Sequence, residues 1–194
     1  MPQIEPRSLL SLEAYARERN AYRARVIAHK KLRTLHLGEH VTLVFEDEQT
    51  IRYQVQEMLR IERIFEEEGI RGELEAYNPL IPDGSNLKAT VMLEYAEREE
   101  RALRLAQLRG FERECWMRVA GFEPVRAISD EDLSREDDSK TAAVHFARFE
   151  FTPPMIRALH DGAALSAGVS HPAYRHSVEP VPATLRRALL ADFD

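Results

Sequence analysis

The spacing of the strand-like segments is the feature that most constrains the fold. Runs of β-branched, aliphatic and aromatic residues bounded by turn residues predict strands at residues 41–46, 87–95, 115–119, 124–128, 142–151, 163–169 and 174–181. Some of these segments are separated only by turns and others by helical segments, which is not the regular alternation of a parallel sheet. We therefore predict an α+β fold: a mainly antiparallel sheet flanked by helices in a single compact domain.

Apolar residues at steps of three and four predict helices at residues 11–33, 50–68, 96–108 and 184–190. The first helix is expected to break near Asn20, and Gly69 is expected to end the second. Residues 77–86 are rich in turn residues and residues 129–141 are acidic, so both are predicted to be loops. The domain is expected to span residues 1–194, with the N-terminal helix at its periphery.

Composition excludes several classes of protein. The chain has 194 residues, of which 44% are hydrophobic, enough for a core without metal or disulfide support. The single cysteine, Cys115, excludes an internal disulfide framework and a multi-cysteine metal site. No apolar run approaches the roughly 20 residues of a membrane span, and the start lacks a signal peptide's apolar segment. We therefore expect a cytoplasmic protein without a membrane partner, and the net charge of -6 disfavours nucleic acid as a partner.

Common catalytic and nucleotide-binding motifs are absent from the sequence. It contains neither GxGxxG after a strand nor GxxxxGK[ST], and it lacks HExxH, GxSxG and the ExxH pair of di-iron bundles. These absences remove frequent enzyme classes but leave an enzyme with an unusual site open.

Two glutamates lie within the apolar arc of the predicted helix at residues 50–68. At 100° per residue, Glu57 and Glu62 project among the aliphatic side chains, where a carboxylate is costly unless it is paired. They are candidate general acid–base or metal-binding residues; alternatively, they pair with arginines of the first helix. On the opposite face, Arg60 and Arg63 are candidate anion ligands, or part of a solvated surface.

The strand predicted at residues 142–151 carries two further candidates. Alternation places His145 on one face with apolar residues and Arg148 on the other, also among apolar residues. The histidine is either a hydrogen-bonded core residue or a ligand or base. The arginine needs an acid, which Glu57 or Glu62 would supply. These four residues form our candidate catalytic site.

Other polar residues are candidates for ligand or metal binding. His171 and His176 flank a predicted turn, and with His145 and Glu62 they are the candidate metal ligands, although spacing alone is weak support. The loop at residues 77–86 and the strand after it supply candidate ligand-binding residues, namely Asn78, Asp83, Asn86 and Lys88. Plain turn chemistry explains the loop residues equally well.

Long runs of the sequence resemble the uncharacterised bacterial domain-of-unknown-function family 3501. They include VTLVFEDEQTIRYQVQEMLRIERIFE and YNPLIPDGSNLKATVMLEY, at residues 41–66 and 77–95, together with residues 23–33, 140–152 and 171–176. The family has no established activity. The resemblance implies a gene setting beside rubrerythrin-like di-iron proteins and iron–sulfur proteins of heterodisulfide-reductase type, which suggests a redox or oxidative-stress pathway by association.

Three functional hypotheses follow. The favoured one is a cytoplasmic accessory or binding protein of a bacterial redox or oxidative-stress pathway, working with an iron–sulfur or di-iron partner protein; a homodimer is left open. The alternative is a small enzyme, or a ligand- or metal-binding protein, with a Glu/His/Arg polar site. The third, nucleic-acid binding through the basic first helix, is disfavoured by the glutamates of that helix. The sequence does not indicate which cofactor, if any, is used.

Overall fold

The structure, a computed structural model, describes residues 3–129 and 140–194. Within these ranges the strands form two antiparallel sheets. The first sheet has the order β1-β2-β3-β7-β6, with strands Thr34–His36, Val41–Phe45, Asn86–Leu93, Val144–Glu150 and Ile128–Ser129 in that spatial order. The second has the order β5-β4-β8-β9, with strands Val125–Arg126, Cys115–Val119, Leu165–His171 and Tyr174–Val178. The predicted α+β class with antiparallel pairing is confirmed.

Among the described residues, six α-helices connect and cover the sheets. Their bounds, α1 to α6, are Leu12–Leu32, Glu48–Glu62, Glu67–Tyr77, Arg98–Gln107, Pro153–His160 and Ala183–Leu189. Ser11 caps α1, and Asp47 and Thr50 form a reciprocal capping box at the start of α2. No helix in the described ranges is both long enough and apolar enough to cross a membrane.

Two predictions about the helices are wrong. The first helix, α1, runs without a break through Asn20. The predicted helix at residues 50–68 is divided: α2 ends at Glu62, Arg63 adopts a left-handed conformation with φ 55°, and Gly69 lies inside α3. The amide of Ile64 donates to the carbonyl of Leu59 at 2.9 Å, which closes the helix end. Ile64 continues the apolar spacing beyond this turn, so the pattern gave no sign of the division.

The inner faces of the two sheets share one hydrophobic core. Leu43, Val91 and Phe149 of the first sheet belong to the same buried cluster as Met117 and Val169 of the second. A smaller cluster joins α2, α3 and the N-terminal segment through Ile4, Ile51, Val55, Leu59, Leu74 and Ile81. The helices α2 and α3 therefore have an apolar contact of their own, separate from the core between the two sheets.

The alternation of β3 determines what that outer face presents. Leu87, Ala89 and Val91 point into the core, whereas Lys88 and Thr90 point outwards and are only partly buried. Most of the acidic loop predicted at residues 129–141 lies outside the described residues.

Candidate functional site

A cleft lies on the outer face of the first sheet, between β3 and β7 on one side and α3 with the turn Asn78–Leu80 on the other. Its inner part is a cavity of about 410 Å³ lined by Glu46, Glu75, Ala76, Pro79, Leu80, Lys88, Ala89, Ile128, Phe146, Ala147 and Arg148. An outer depression of about 580 Å³ shares Glu75, Pro79, Lys88 and Arg148 with it and extends to Gln3, Asn78 and Asp83. We call the two together the outer-face cleft.

Strand register brings the two basic residues of the cleft together. Lys88 of β3 lies directly opposite Arg148 of β7, and both side chains project from the outer face. Adjacent positive charges repel each other, and both Lys88 and Arg148 make contacts with oxygen atoms that offset this repulsion. The ammonium group of Lys88 donates to the carbonyls of Pro79 at 2.6 Å and Ile81 at 2.9 Å, and Arg148 pairs with Glu150 at 2.5 Å.

Glu46 is the buried acid of the cleft, and it was not among the site residues predicted from the sequence. It follows β2 directly, its exposed fraction is 2%, and its side chain lines the inner cavity. Its Oε2 accepts a hydrogen bond from Thr50 at 2.5 Å and its Oε1 accepts one from Thr90 at 2.6 Å. The alternation that turns Thr42 and Val44 outwards also turns Glu46 outwards at the end of the predicted strand, so strand parity gives its face but not its burial.

The loop before β3 builds the wall of the outer depression. Asp83 accepts hydrogen bonds from the Asn86 amide at 2.7 Å and the Ser85 hydroxyl at 3.0 Å. Burial would raise the pKa of Asp83, but these hydrogen bonds and the charge of Lys88 outweigh it and hold the pKa below its ordinary value. Asn78 exchanges hydrogen bonds with the backbone of Ile4 at 2.9 and 3.1 Å. Asn78 and Asn86 therefore position the wall.

Glu57, a candidate catalytic residue, lies in an ion pair between α1 and α2. Arg19 binds its two carboxylate oxygens at 2.7 and 2.8 Å, and the Tyr15 hydroxyl donates to it at 2.7 Å. The hydrogen bonds from Arg19 outweigh burial and, together with the one from Tyr15, lower the pKa of Glu57 to about 2. Arg60 lies 3.6 Å away from the same carboxylate. This is the arrangement expected if Glu57 pairs with an arginine of the first helix.

Replacing Glu57 with glutamine is expected to lower the free energy of unfolding at neutral pH by roughly 1.5–3 kcal/mol, because charge-assisted hydrogen bonds are lost. The pKa is depressed in the folded state, so the stabilisation is present above the unfolded pKa near 4.5 and disappears as the pH falls towards 2. Urea unfolding of both proteins between pH 7 and 2.5 should show the difference shrinking with acidity. Glu62→Gln, an exposed change in the same helix, is the control; a constant difference for Glu57→Gln contradicts this account.

The other predicted catalytic residues do not join Arg148 in one pocket. Glu62 is exposed near the end of α2, and Arg63 follows it as an exposed residue at the helix end. His145 points into the core, on the face of β7 opposite to Arg148. Among the described residues, Arg148 pairs with Glu150, two residues along the same strand, and not with Glu57 or Glu62 as predicted. Of the predicted site residues, Lys88, Arg148, Asn78 and Asp83 line the outer-face cleft.

The predicted metal ligands occupy separate environments. The Nε2 atom of His145 lies 2.8 Å from the Thr141 hydroxyl and 3.1 Å from the Ala142 carbonyl. His171 uses both ring nitrogens: Nε2 donates to the Arg109 carbonyl at 3.0 Å and Nδ1 accepts from a backbone amide at 3.2 Å. His176 is exposed on β9. Across residues 3–129 and 140–194, no three His, Cys, Asp or Glu side chains are grouped as a metal site requires.

Fold and cleft together define a two-sheet α+β protein with a concave, charged site on one sheet face. The model of a family of proteins of unknown function, DUF3501, matches residues 3–193, and the chain belongs to this family. The resemblance drawn from the sequence is thereby confirmed. The chain is also similar to a novel protein of unknown function from Burkholderia pseudomallei, known from a crystal structure, with 49% identity, complete coverage of both chains and a TM-score of 0.94. No curated protein matches the chain.

Proposed function

We propose that this protein binds a small molecule in the outer-face cleft. The observation that carries the proposal is the inner cavity of about 410 Å³, in which apolar side chains meet a buried acid and two basic groups. Ligand sites are typically concave, lined mainly by apolar side chains and supplied with a few polar groups that orient the ligand. Leu80 and Phe146 provide apolar contact, and Glu46, Lys88 and Arg148 provide charge.

A variant that fills the cleft tests this proposal. The probe is 8-anilinonaphthalene-1-sulfonate, whose rings suit the apolar lining and whose sulfonate suits Lys88 and Arg148. Ala76→Trp places an indole in the cavity and is expected to weaken saturable dye binding at least tenfold in a fluorescence titration, about 1.4 kcal/mol. Ala16→Trp adds the same side chain on exposed α1, away from the cleft, and should leave binding unchanged.

The folding of each variant must also be measured, because partly unfolded proteins with exposed apolar surface bind this dye as well. Both tryptophan variants should unfold cooperatively at midpoints close to that of the unmodified protein. Equal dye affinity in all three proteins would contradict binding in the outer-face cleft.

We further infer the setting in which such a binding protein works: a bacterial cytoplasm, as an accessory to iron–sulfur or di-iron proteins of a redox or oxidative-stress pathway. Its support is the family resemblance, and the similar protein from Burkholderia pseudomallei supports a bacterial origin. Co-elution of the purified protein with a rubrerythrin-like or heterodisulfide-reductase-type partner in size-exclusion chromatography tests this setting. Separate elution at micromolar concentrations of both would contradict a stable complex.

A further inference from the structure

We propose that the ligand of the outer-face cleft carries a protonated amino group that binds Glu46, and that it belongs to the class of α-amino acids. This inference rests on the proposed function, since it assigns the chemistry of the molecule that the cleft takes.

The hydrogen bonding of Glu46 is the first argument. A carboxylate with an exposed fraction of 2% is costly to bury unless a cation or several donors compensate. Its two oxygens accept hydrogen bonds from the hydroxyls of Thr50 and Thr90, and no lysine, arginine or histidine of the described ranges forms an ion pair with its side chain. A carboxylate has about four acceptor positions, so two hydroxyl donors leave capacity for an ammonium group.

The position of Lys88 explains why no base in the described part of the chain pairs with the Glu46 side chain. The backbone amide of Glu46 donates to the Lys88 carbonyl at 2.8 Å, so the two residues are neighbours on adjacent strands. The Lys88 ammonium group nevertheless turns towards the carbonyls of Pro79 and Ile81. The nearest base in the sheet is therefore engaged by the turn that forms the opposite wall of the cleft.

The charges form a row across three strands. Glu46 adjoins Lys88, and Lys88 lies opposite Arg148, so the backbones of the acid and the arginine are separated by two strand spacings, roughly 10 Å. An α-amino acid with one charge-assisted hydrogen bond at each end joins partner atoms roughly 8–9 Å apart, so side chains projecting from the same sheet face at this backbone spacing suit its two ends. The ammonium group faces Glu46, and the carboxylate faces the basic end of the row.

The remaining lining accommodates a side chain. Among the described residues, the lining includes the apolar side chains of Leu80, Ile128 and Phe146, the acids Glu46 and Glu75, and the bases Lys88 and Arg148. A lining that carries charges of both signs complements a zwitterion better than a simple anion or cation. An aliphatic or aromatic amino acid matches both the charges and the apolar surface.

Three probes of one carbon skeleton test the inference: L-leucine, isopentylamine, which lacks the carboxylate, and 4-methylpentanoate, which lacks the amine. In calorimetric titrations we expect L-leucine to bind at least tenfold more tightly than 4-methylpentanoate. Glu46→Gln should reduce L-leucine and isopentylamine affinity at least tenfold while leaving binding of the anilinonaphthalene dye within twofold. Glu75→Gln, which removes an exposed acid of the same cleft, should retain the preference for the amine.

The comparison among the probes needs no variant, so it holds even if Glu46→Gln folds poorly. Equal affinity for L-leucine and 4-methylpentanoate, retention of the amine preference in Glu46→Gln, or failure of both amines to bind at millimolar concentration would each overturn the inference. In those cases the dye titration would still test the proposed function. If Ala76→Trp abolishes dye binding, the cleft remains a ligand site; if Ala76→Trp does not change dye binding, the proposed function is wrong as well.

Discussion

Replacing Arg33 with methionine is expected to lower the free energy of unfolding by about 3–5 kcal/mol, because it removes one partner of a buried ionic network. Arg33 has an exposed fraction of 2% and pairs with the carboxylate of Asp192. Its guanidinium also donates to the carbonyls of Phe45 at 3.0 Å, Ala188 at 3.1 Å and Glu46 at 3.2 Å. Methionine packs in a similar space but leaves a carboxylate and three carbonyls without their donor.

Urea unfolding at neutral pH, followed by circular dichroism, measures this effect. Arg71→Met is the matched control, because Arg71 pairs with Glu67 on the exposed face of α3 and surface pairs contribute about 0–1 kcal/mol. A loss below about 1 kcal/mol for Arg33→Met would show that the network does not hold the C-terminal segment to the end of β2.

Replacing Phe149 with alanine should destabilise the protein by about 3–5 kcal/mol, because its ring is fully buried between the two sheets. Phe146, three residues earlier on β7, points to the opposite face and is only partly buried. Its replacement by alanine should destabilise by about 1 kcal/mol, since less apolar area leaves water on folding. Phe146→Ala should instead weaken dye binding, because the ring lines the inner cavity.

Paired measurements separate the two faces of the strand. Thermal and urea unfolding give the stability of each variant, and the dye titration gives the state of the outer-face cleft. If Phe149→Ala and Phe146→Ala lose equal stability, the assignment of an inner and an outer face to β7 is wrong.

The candidate site was predictable only in part. The loop before β3 and the start of that strand indicated Asn78, Asp83 and Lys88 as site residues. Arg148 was predicted because it is a charged residue among apolar ones in a strand. Each of these signals is local. Glu46 ends the predicted strand at residues 41–46, and parity places it on the outer face, but a polar residue there is also typical of the start of a turn. Its burial against the hydroxyls of Thr50 and Thr90 appears only in the folded chain.

Glu57 shows what helical spacing alone leaves open. The helical spacing correctly placed it towards the interior, but spacing does not show what lies opposite. Arg19, 38 residues earlier, binds its carboxylate because α1 packs along α2. The sequence also allowed an alternative in which Glu57 pairs with an arginine of the first helix and has no catalytic role. The contact with Arg19 is that pairing.

Short-range rules determined the element types, which the sequence therefore predicted well. Residues 87–95 alternate between apolar and polar, and the loop before them contains prolines. Both features determine the local backbone conformation, so the strand and the turn could be predicted from the sequence alone. The register that sets Lys88 opposite Arg148, and the burial of Glu46 beside them, appear only in the folded chain. Glu46 lies 42 residues before Lys88 and 102 residues before Arg148 in the sequence. Only the packing of the whole core brings these distant segments together in this register.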